Sequence, residues 1–295
     1  MTEVQSSVIE GWSIESTLPK KSEVEKLAEL VPAGTEVYLS TLPHVSLDQQ
    51  IETAHIVRVN GLEPVLHVAA RYFATRTELV GYLARAGRET AAENMLIIGG
   101  DADRPNGEFD SALSLIKSGL LNDYGIRRIG VAGYPDGHPK ISSDALIEAL
   151  GAKIETAQAA GIAPHITTQF CFEAAPILAW LKDIRERWPD VPVKIGIAGP
   201  TGFKTLLKFA VRCGVNTPRT GIAQKLTMAS KIAKTFSPGD LLDDLDTGLG
   251  QIGGGNLSAH FFSFGGLEKT ATWIAGRLNE KSNFTGTNET QRMQL

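Results

Sequence analysis

At 295 residues the chain has room for one large α/β barrel or for two smaller domains. Its 42% apolar and 21% charged residues are those of a globular protein in water, and a formal charge of −4 gives no electrostatic pull toward nucleic acid or an anionic membrane. Cys171 and Cys213 are too few for a disulfide framework and are not spaced as a metal site, no apolar run reaches the roughly 18 residues of a membrane-spanning helix, and the polar residues 1–7 lack the layout of a signal peptide. A reducing cytoplasm is the expected compartment.

Short apolar runs alternate with longer amphipathic stretches from end to end. Strands are predicted over 11–15, 36–40, 63–69, 94–98, 128–132, 163–169, 193–198 and 257–264, with helices between them over segments such as 76–89, 142–160, 173–187 and 202–213. In 173–187 the residues Ile177, Leu178, Leu181 and Ile184 follow the three-and-four spacing of a helix with one buried face. Eight strands with helical crossovers predict a parallel sheet, and the count suits closure into a single (β/α)8 TIM-type barrel over residues 1–281. An open doubly wound sheet is the alternative. Two extra helices, over 221–236 and 238–245, are expected before the last strand, and the polar residues 282–295 are expected to form a disordered tail.

In a barrel the chemistry belongs at the carboxyl ends of the strands. Those ends carry Glu15, Ser40 and Thr41, His67 with Arg71, Asp101, Tyr134 with His138, Gln169, and residues 201–203. Glu15 in a partly dry mouth would have a raised pKa and could donate a proton near neutrality; alternatively it is a solvated strand-end carboxylate. Asp101 follows Gly99-Gly100, which either lets backbone approach a planar ligand or makes an ordinary turn. Tyr134-Pro135-Asp136-Gly137-His138-Pro139 presents a phenol and an imidazole on a stiffened loop suited to a ring system or phosphates, or serves as a tight connection. Gln169 offers donor and acceptor together, matching the edge of a pterin, or satisfies backbone at its strand end. The glycines at 253–255 precede a strand, unlike a phosphate loop, and neither a Gly-x-Ser-x-Gly elbow nor a metal-ligand spacing is present.

These segments resemble the flavin-dependent methylenetetrahydrofolate reductase family. Ala132-Gly133-Tyr134-Pro135-Asp136-Gly137-His138-Pro139 is similar to the family's Ala-x-Tyr-Pro-x-x-His-Pro, and Thr167-Thr168-Gln169-Phe170-Cys171-Phe172-Glu173 to its Ile-Thr-Gln-x-x-Phe-Asp. Leu66-His67-Val68-Ala69, Ile98-Gly99-Gly100-Asp101 and Ala259-His260-Phe261-Phe262 take the places of Pro-His-Leu-Thr, Leu-Arg-Gly-Asp and the final His-Phe-Tyr strand, and Glu15 opens the segment matching Glu-Phe-Phe-Pro-Pro. Gly99 stands for an arginine, Ser16 and Thr17 for two aromatics, and Glu173 for an aspartate, which marks a divergent branch.

The resemblance implies a cytoplasmic oxidoreductase of one-carbon metabolism and methionine biosynthesis. It would interconvert 5,10-methylenetetrahydrofolate and 5-methyltetrahydrofolate through FAD bound non-covalently, with NADH or NADPH as electron donor. By the same resemblance Glu15 would be the general acid at the folate N10, with Asp101 beside flavin and pterin. His67, Tyr134 and His138, with Ser40 and Lys153, would contact FAD; Gln169 and Phe209 would contact the substrate. No metal, nucleic acid or membrane is implied, and association into a homo-oligomer is. The rivals are a methyltetrahydrofolate-oxidising enzyme with a non-NAD acceptor and a folate- or flavin-binding barrel without turnover.

Overall fold

The computed structural model describes residues 7–42, 45–215, 235–252 and 255–292. Eight parallel strands run in sequence order around a closed barrel: β1 (Ser13–Ser16), β2 (Glu36–Leu39), β3 (Glu63–Ala69), β4 (Asn94–Ile98), β5 (Arg128–Gly133), β6 (Ala163–Thr168), β7 (Val193–Ala198) and β8 (Leu257–Phe262). Closure is made by β1 against β8, with Ser13 opposite His260 and Glu15 opposite Phe262, and this pairing rules out the open sheet. The strands match those predicted to within two residues at each end.

The helices are α1 (Lys21–Leu30), α2 (Leu47–Val59), α3 (Arg76–Thr90), the short α4 (Ala112–Lys117) and α5 (Leu120–Asp123), α6 (Ser143–Ala159), α7 (Ala174–Arg187), α8 (Phe203–Cys213), α9 (Gly239–Ile252) and α10 (Leu267–Arg292). Local signals start several of them. Ser46 caps α2, its hydroxyl accepting from the Gln49 backbone N–H while the Gln49 side chain returns to the Ser46 N–H. Helix α7 buries Ile177, Leu181 and Ile184 against the barrel, as its spacing predicts.

Of the two extra helices expected before the last strand, the second is α9, which extends seven residues beyond the predicted 238–245. The first, over 221–236, lies outside the described residues except at its end. There Thr235 and Phe236 instead pair antiparallel with Gly202 and Thr201. Over 282–292, where composition predicts a disordered tail, α10 continues to Arg292; no proline interrupts its backbone ladder.

The apolar core lies between strands and helices, in one continuous cluster that includes Ile14, Val37, Leu66, Ile97, Ile129, Ile166, Ile195 and Phe261 from the outward faces of the strands. The barrel interior is different. Alternate residues point inward, and they include Ser13, Tyr38, His67, His165, Thr167 and His260, all buried. A barrel interior is ordinarily filled by branched aliphatic side chains; here the aliphatic part is a small group of Val65, Leu96 and Ile98 around Tyr38. Gly130 makes room for one of these polar groups, since a Cβ there would stand 2.9 Å from His165 Nε2.

Candidate active site

Glu15 is the centre of the carboxyl end. Strand β1 turns it inward, where its side chain keeps 14% of its surface exposed. Its Oε2 lies 3.2 Å from His260 Nε2 on β8 and 3.4 Å from His67 Nε2 on β3. Burial raises the carboxyl pKa, and the nearby His67 offsets only part of that rise. Both imidazoles are themselves held neutral: burial lowers His67, and pushes His260 down to about 3. Burial thus lets the carboxyl keep its proton to higher pH than in water. His260 Nδ1 is 2.9 Å from Ser13 Oγ, and the Tyr38 ring packs edge-on against His260 at 4.5 Å between centroids. Below them, Tyr38 Oη meets His165 Nε2 at 2.9 Å.

Asp101 is exposed on the loop after β4. Gly100 adopts φ +90°, and a Cβ there would lie 3.1 Å from Ala69 and 3.3 Å from Tyr72, so only glycine leads the chain into this turn. The Asp101 charge helps to raise the hydroxyl pKa of Tyr72 and of Tyr134, behind burial in each case. Cys213, at the end of α8, is pushed up to about 11 by burial and by the charges of Glu15 and Asp101. Glu15, Asp101, Tyr134 and Cys213 thus share one mouth. Tyr134 and His138 are both half-buried and form an edge-to-face pair at 5.3 Å.

Helix α8 is laid over the strand ends. Leu206 and Ala210 are buried with Phe170 and Ala198, and a Cβ on Gly214 would touch Pro139 of the tyrosine–histidine loop. Phe209 stacks on Phe264 with centroids 4.1 Å apart and planes inclined by 13°. Gln169 is half-buried; its Oε1 accepts from the Phe170 backbone N–H at 3.0 Å, so the backbone-satisfying role holds for its oxygen. Ser40 is hydrogen-bonded to Thr17 at the ends of β1 and β2.

One predicted residue is not gathered. Lys153 sits ten residues into α6, about 15 Å along its axis from the end nearest the mouth. It is half-buried, and burial lowers its amine to about 8. The resemblance puts it among the FAD contacts; the direction of α6, running down the outside of the barrel, carries it away from the mouth.

Ser13, Tyr38, His165 and His260 were not expected as site residues. The signal was present, because Glu36 and Tyr38 on β2 with Ser40 just past its end, and Ser258 and His260 on β8, are polar residues at every second position of apolar runs.

The family model described as methylenetetrahydrofolate reductase matches residues 16–233, beginning immediately after Glu15 and taking in Asp101, Tyr134, His138, Gln169 and Phe209. "Methylenetetrahydrofolate reductase 2" of Saccharomyces cerevisiae is 26% identical over 256 residues, 81% of this chain and 40% of the yeast protein. "Methylenetetrahydrofolate reductase 1" of Schizosaccharomyces pombe is 27% identical over 150 residues, 48% of this chain and 24% of that protein. The chain spans less than half the length of either relative. A crystal structure of oxaloacetate acetylhydrolase superposes with a TM-score of 0.52 at 8% identity, covering 96% of this chain and 82% of that one, a likeness of fold alone. With the family model matched over most of its length, the chain belongs to the methylenetetrahydrofolate reductase family.

Proposed function

We propose that the barrel, residues 1–281, interconverts 5,10-methylenetetrahydrofolate and 5-methyltetrahydrofolate, with FAD bound non-covalently at the strand ends and NADH or NADPH as electron donor. The observation that carries this reading is Glu15: a half-buried carboxyl at the mouth of a barrel of this family, raised in pKa, with neutral imidazoles beside one of its oxygens.

The residues present suit a flavin. His67 Nε2 is buried and takes no hydrogen bond among the described residues, an orphaned polar atom of the kind a ligand satisfies. A Cβ at Gly99 would meet nothing within 4 Å, so the strand end is open to a planar ring. His67, Tyr134, His138, Ser40 and Asp101 would hold the cofactor, and Lys153 would not. Bound FAD would supply the two-electron transfer that no side chain here can perform.

The chain's own residues would do the rest. Glu15 protonates the folate N10, opening the five-membered ring to a reactive iminium in the reducing direction, and accepts that proton back in the other. Gln169 has its Nε2 donors available to the pterin edge, since its oxygen is occupied. Phe209 and Phe264 offer stacking surface, and α8 limits water at the mouth. Asp101 places a negative charge beside the pterin. The redox chemistry and the free thiols Cys171 and Cys213 suit a reducing cytoplasm, with association into a homo-oligomer as in related barrels.

Anaerobic absorbance on protein supplied with FAD tests the reading. Bleaching of the visible flavin band by 5-methyltetrahydrofolate is expected, and separate additions of NADH and NADPH identify the donor. Flavin that binds but is reduced by none of the three would reject the reductase reading in favour of a binding barrel without turnover.

A further inference from the structure

One stretch of the chain carries charge of a single sign. Residues 195–239 contain seven lysines and arginines and no aspartate or glutamate, in a chain whose formal charge is −4. Three of the seven, Lys204, Lys208 and Arg212, stand four residues apart on α8, the helix laid over the strand ends, and all three are exposed. Residues four apart on a helix lie on one face, so they form a row. On α1, by contrast, exposed lysines are balanced within the helix, Lys21 by Glu25 and Lys26 by Glu29. Helix α8 has no acid of its own, and among the described residues none of its three cations is in an ion pair.

The row begins at the mouth. Burial and the Asp101 charge raise the Tyr72 hydroxyl, and Arg212 offsets part of that rise; it acts in the same sense on the Cys213 thiol, which burial, Glu15 and Asp101 raise. Phe209, which offers stacking surface there, follows Lys208 directly and is one turn from Arg212. From Arg212 the row runs back to Lys204, about 12 Å along the helix axis.

We propose that Lys204, Lys208 and Arg212 form a track for the oligo-γ-glutamyl tail of a folate, and that this mouth selects the polyglutamylated substrate. The inference rests on the folate reading of the barrel.

The repeat lengths of tail and track agree. An α-linked peptide advances about 3.5 Å over three backbone bonds, so a γ-linked one, with five bonds per residue, advances about 6 Å. Each γ-linked residue leaves its α-carboxylate free. An extended tail therefore carries one negative charge about every 6 Å, and four residues of helix also rise about 6 Å. One carboxylate meets one cation over three successive steps, and the long stems of lysine and arginine absorb small mismatches. A lone phosphate or carboxylate would engage one member of the row and leave the other two unanswered.

Isothermal titration calorimetry on the FAD-loaded protein reads binding without turnover. The two probes, pteroylmonoglutamate and pteroyl-penta-γ-glutamate, differ only in the tail. Each exposed charge pair is worth a factor of about two to five, so at low salt the pentaglutamate should bind about 10- to 100-fold tighter. That ratio should fall severalfold when ionic strength is raised to about 0.5 M, because the contacts are exposed. Lys204→Glu with Lys208→Glu should bring the ratio below about threefold. Lys21→Glu with Lys26→Glu, the same change of net charge on α1, should leave it in place. A pentaglutamate that binds no tighter than the monoglutamate overturns the proposal, and so does an advantage that survives reversal of the α8 charges. If the α8 double variant does not fold, the unsubstituted protein decides, and a ratio insensitive to salt refutes the track. Binding of neither probe would sink the folate reading itself, whereas equal binding of both removes the track alone.

Discussion

Two half-buried glutamates in one barrel have been driven in opposite directions. At the amino-terminal end of the strands Glu36 pairs with Lys194 at 2.8 Å, lies 3.5 Å from Arg128 and accepts from Asn94 Nδ2 at 3.1 Å. Burial works against its charge, but Lys194 and the other cations win, and its carboxyl is held below the usual range. At the carboxyl end Glu15 has neutral imidazoles beside it among the described residues, burial wins, and its carboxyl is raised. Residue type and depth are similar. The difference is the availability of a cation, and it separates a group that locks the barrel floor from one that can give up a proton at the mouth.

The sharpest way to break this comparison is to neutralise each carboxyl. Glu15→Gln should reduce the folate half-reaction by about 10²- to 10⁴-fold while folate binding and thermal stability stay near the parent values. Stopped-flow flavin reduction beside a binding titration measures both, and a loss below tenfold would remove Glu15 from the role of acid.

Lys194→Ala should act on the fold. It leaves Glu36 half-buried without its nearest cation, and breaking such a pair costs about 3 kcal/mol. Urea unfolding is the measurement. An unchanged midpoint would mean that the floor is not held by this pair.

The two carboxyls should also write opposite signatures on stability against pH. Glu15 has a raised folded pKa, so the stability it confers is full below the unfolded value near 4.5 and is lost as pH rises through the folded pKa. Glu36 has a lowered one, so its contribution is present above the unfolded value and is lost as pH falls through the folded pKa. The difference in unfolding free energy between parent and Glu15→Gln should therefore shrink on the alkaline side of the carboxylate range, and that between parent and Glu36→Gln on the acid side. Parallel curves would dissolve the contrast.

The smallest effect is expected at Lys153. Lys153→Met removes a half-buried amine far from the mouth and should leave FAD affinity within about twofold. A tenfold weakening would show that Lys153 reaches the cofactor despite its place on α6.

Much of the architecture was legible before the fold was known. Apolar runs of strand length separated by helical periodicity located all eight strands, because parallel strands covered on both faces read as short continuous apolar segments. Glu15, Asp101, Tyr134, His138 and Gln169 were visible because each stands where an apolar run stops. The short antiparallel pairing of Thr235 and Phe236 with residues 201–202 was not, since a two-residue strand has no period to detect.

What lies inside the barrel depended on closure. Local sequence made Glu15 a strand-end carboxyl, and it equally made Glu36 one near a strand start. Neither segment carries its own partner. His260 is 245 positions from Glu15 and Lys194 is far along the chain from Glu36, and each meets its glutamate only because β1 and β8 seal the ring and the strand register brings alternate side chains to one level. Charge state follows from neighbours and burial, which are properties of the assembled interior. The order and type of the elements were therefore written in the chain's periodicity, while the acid at the mouth and the ion pair at the floor came into being when eight strands shared a single dry space.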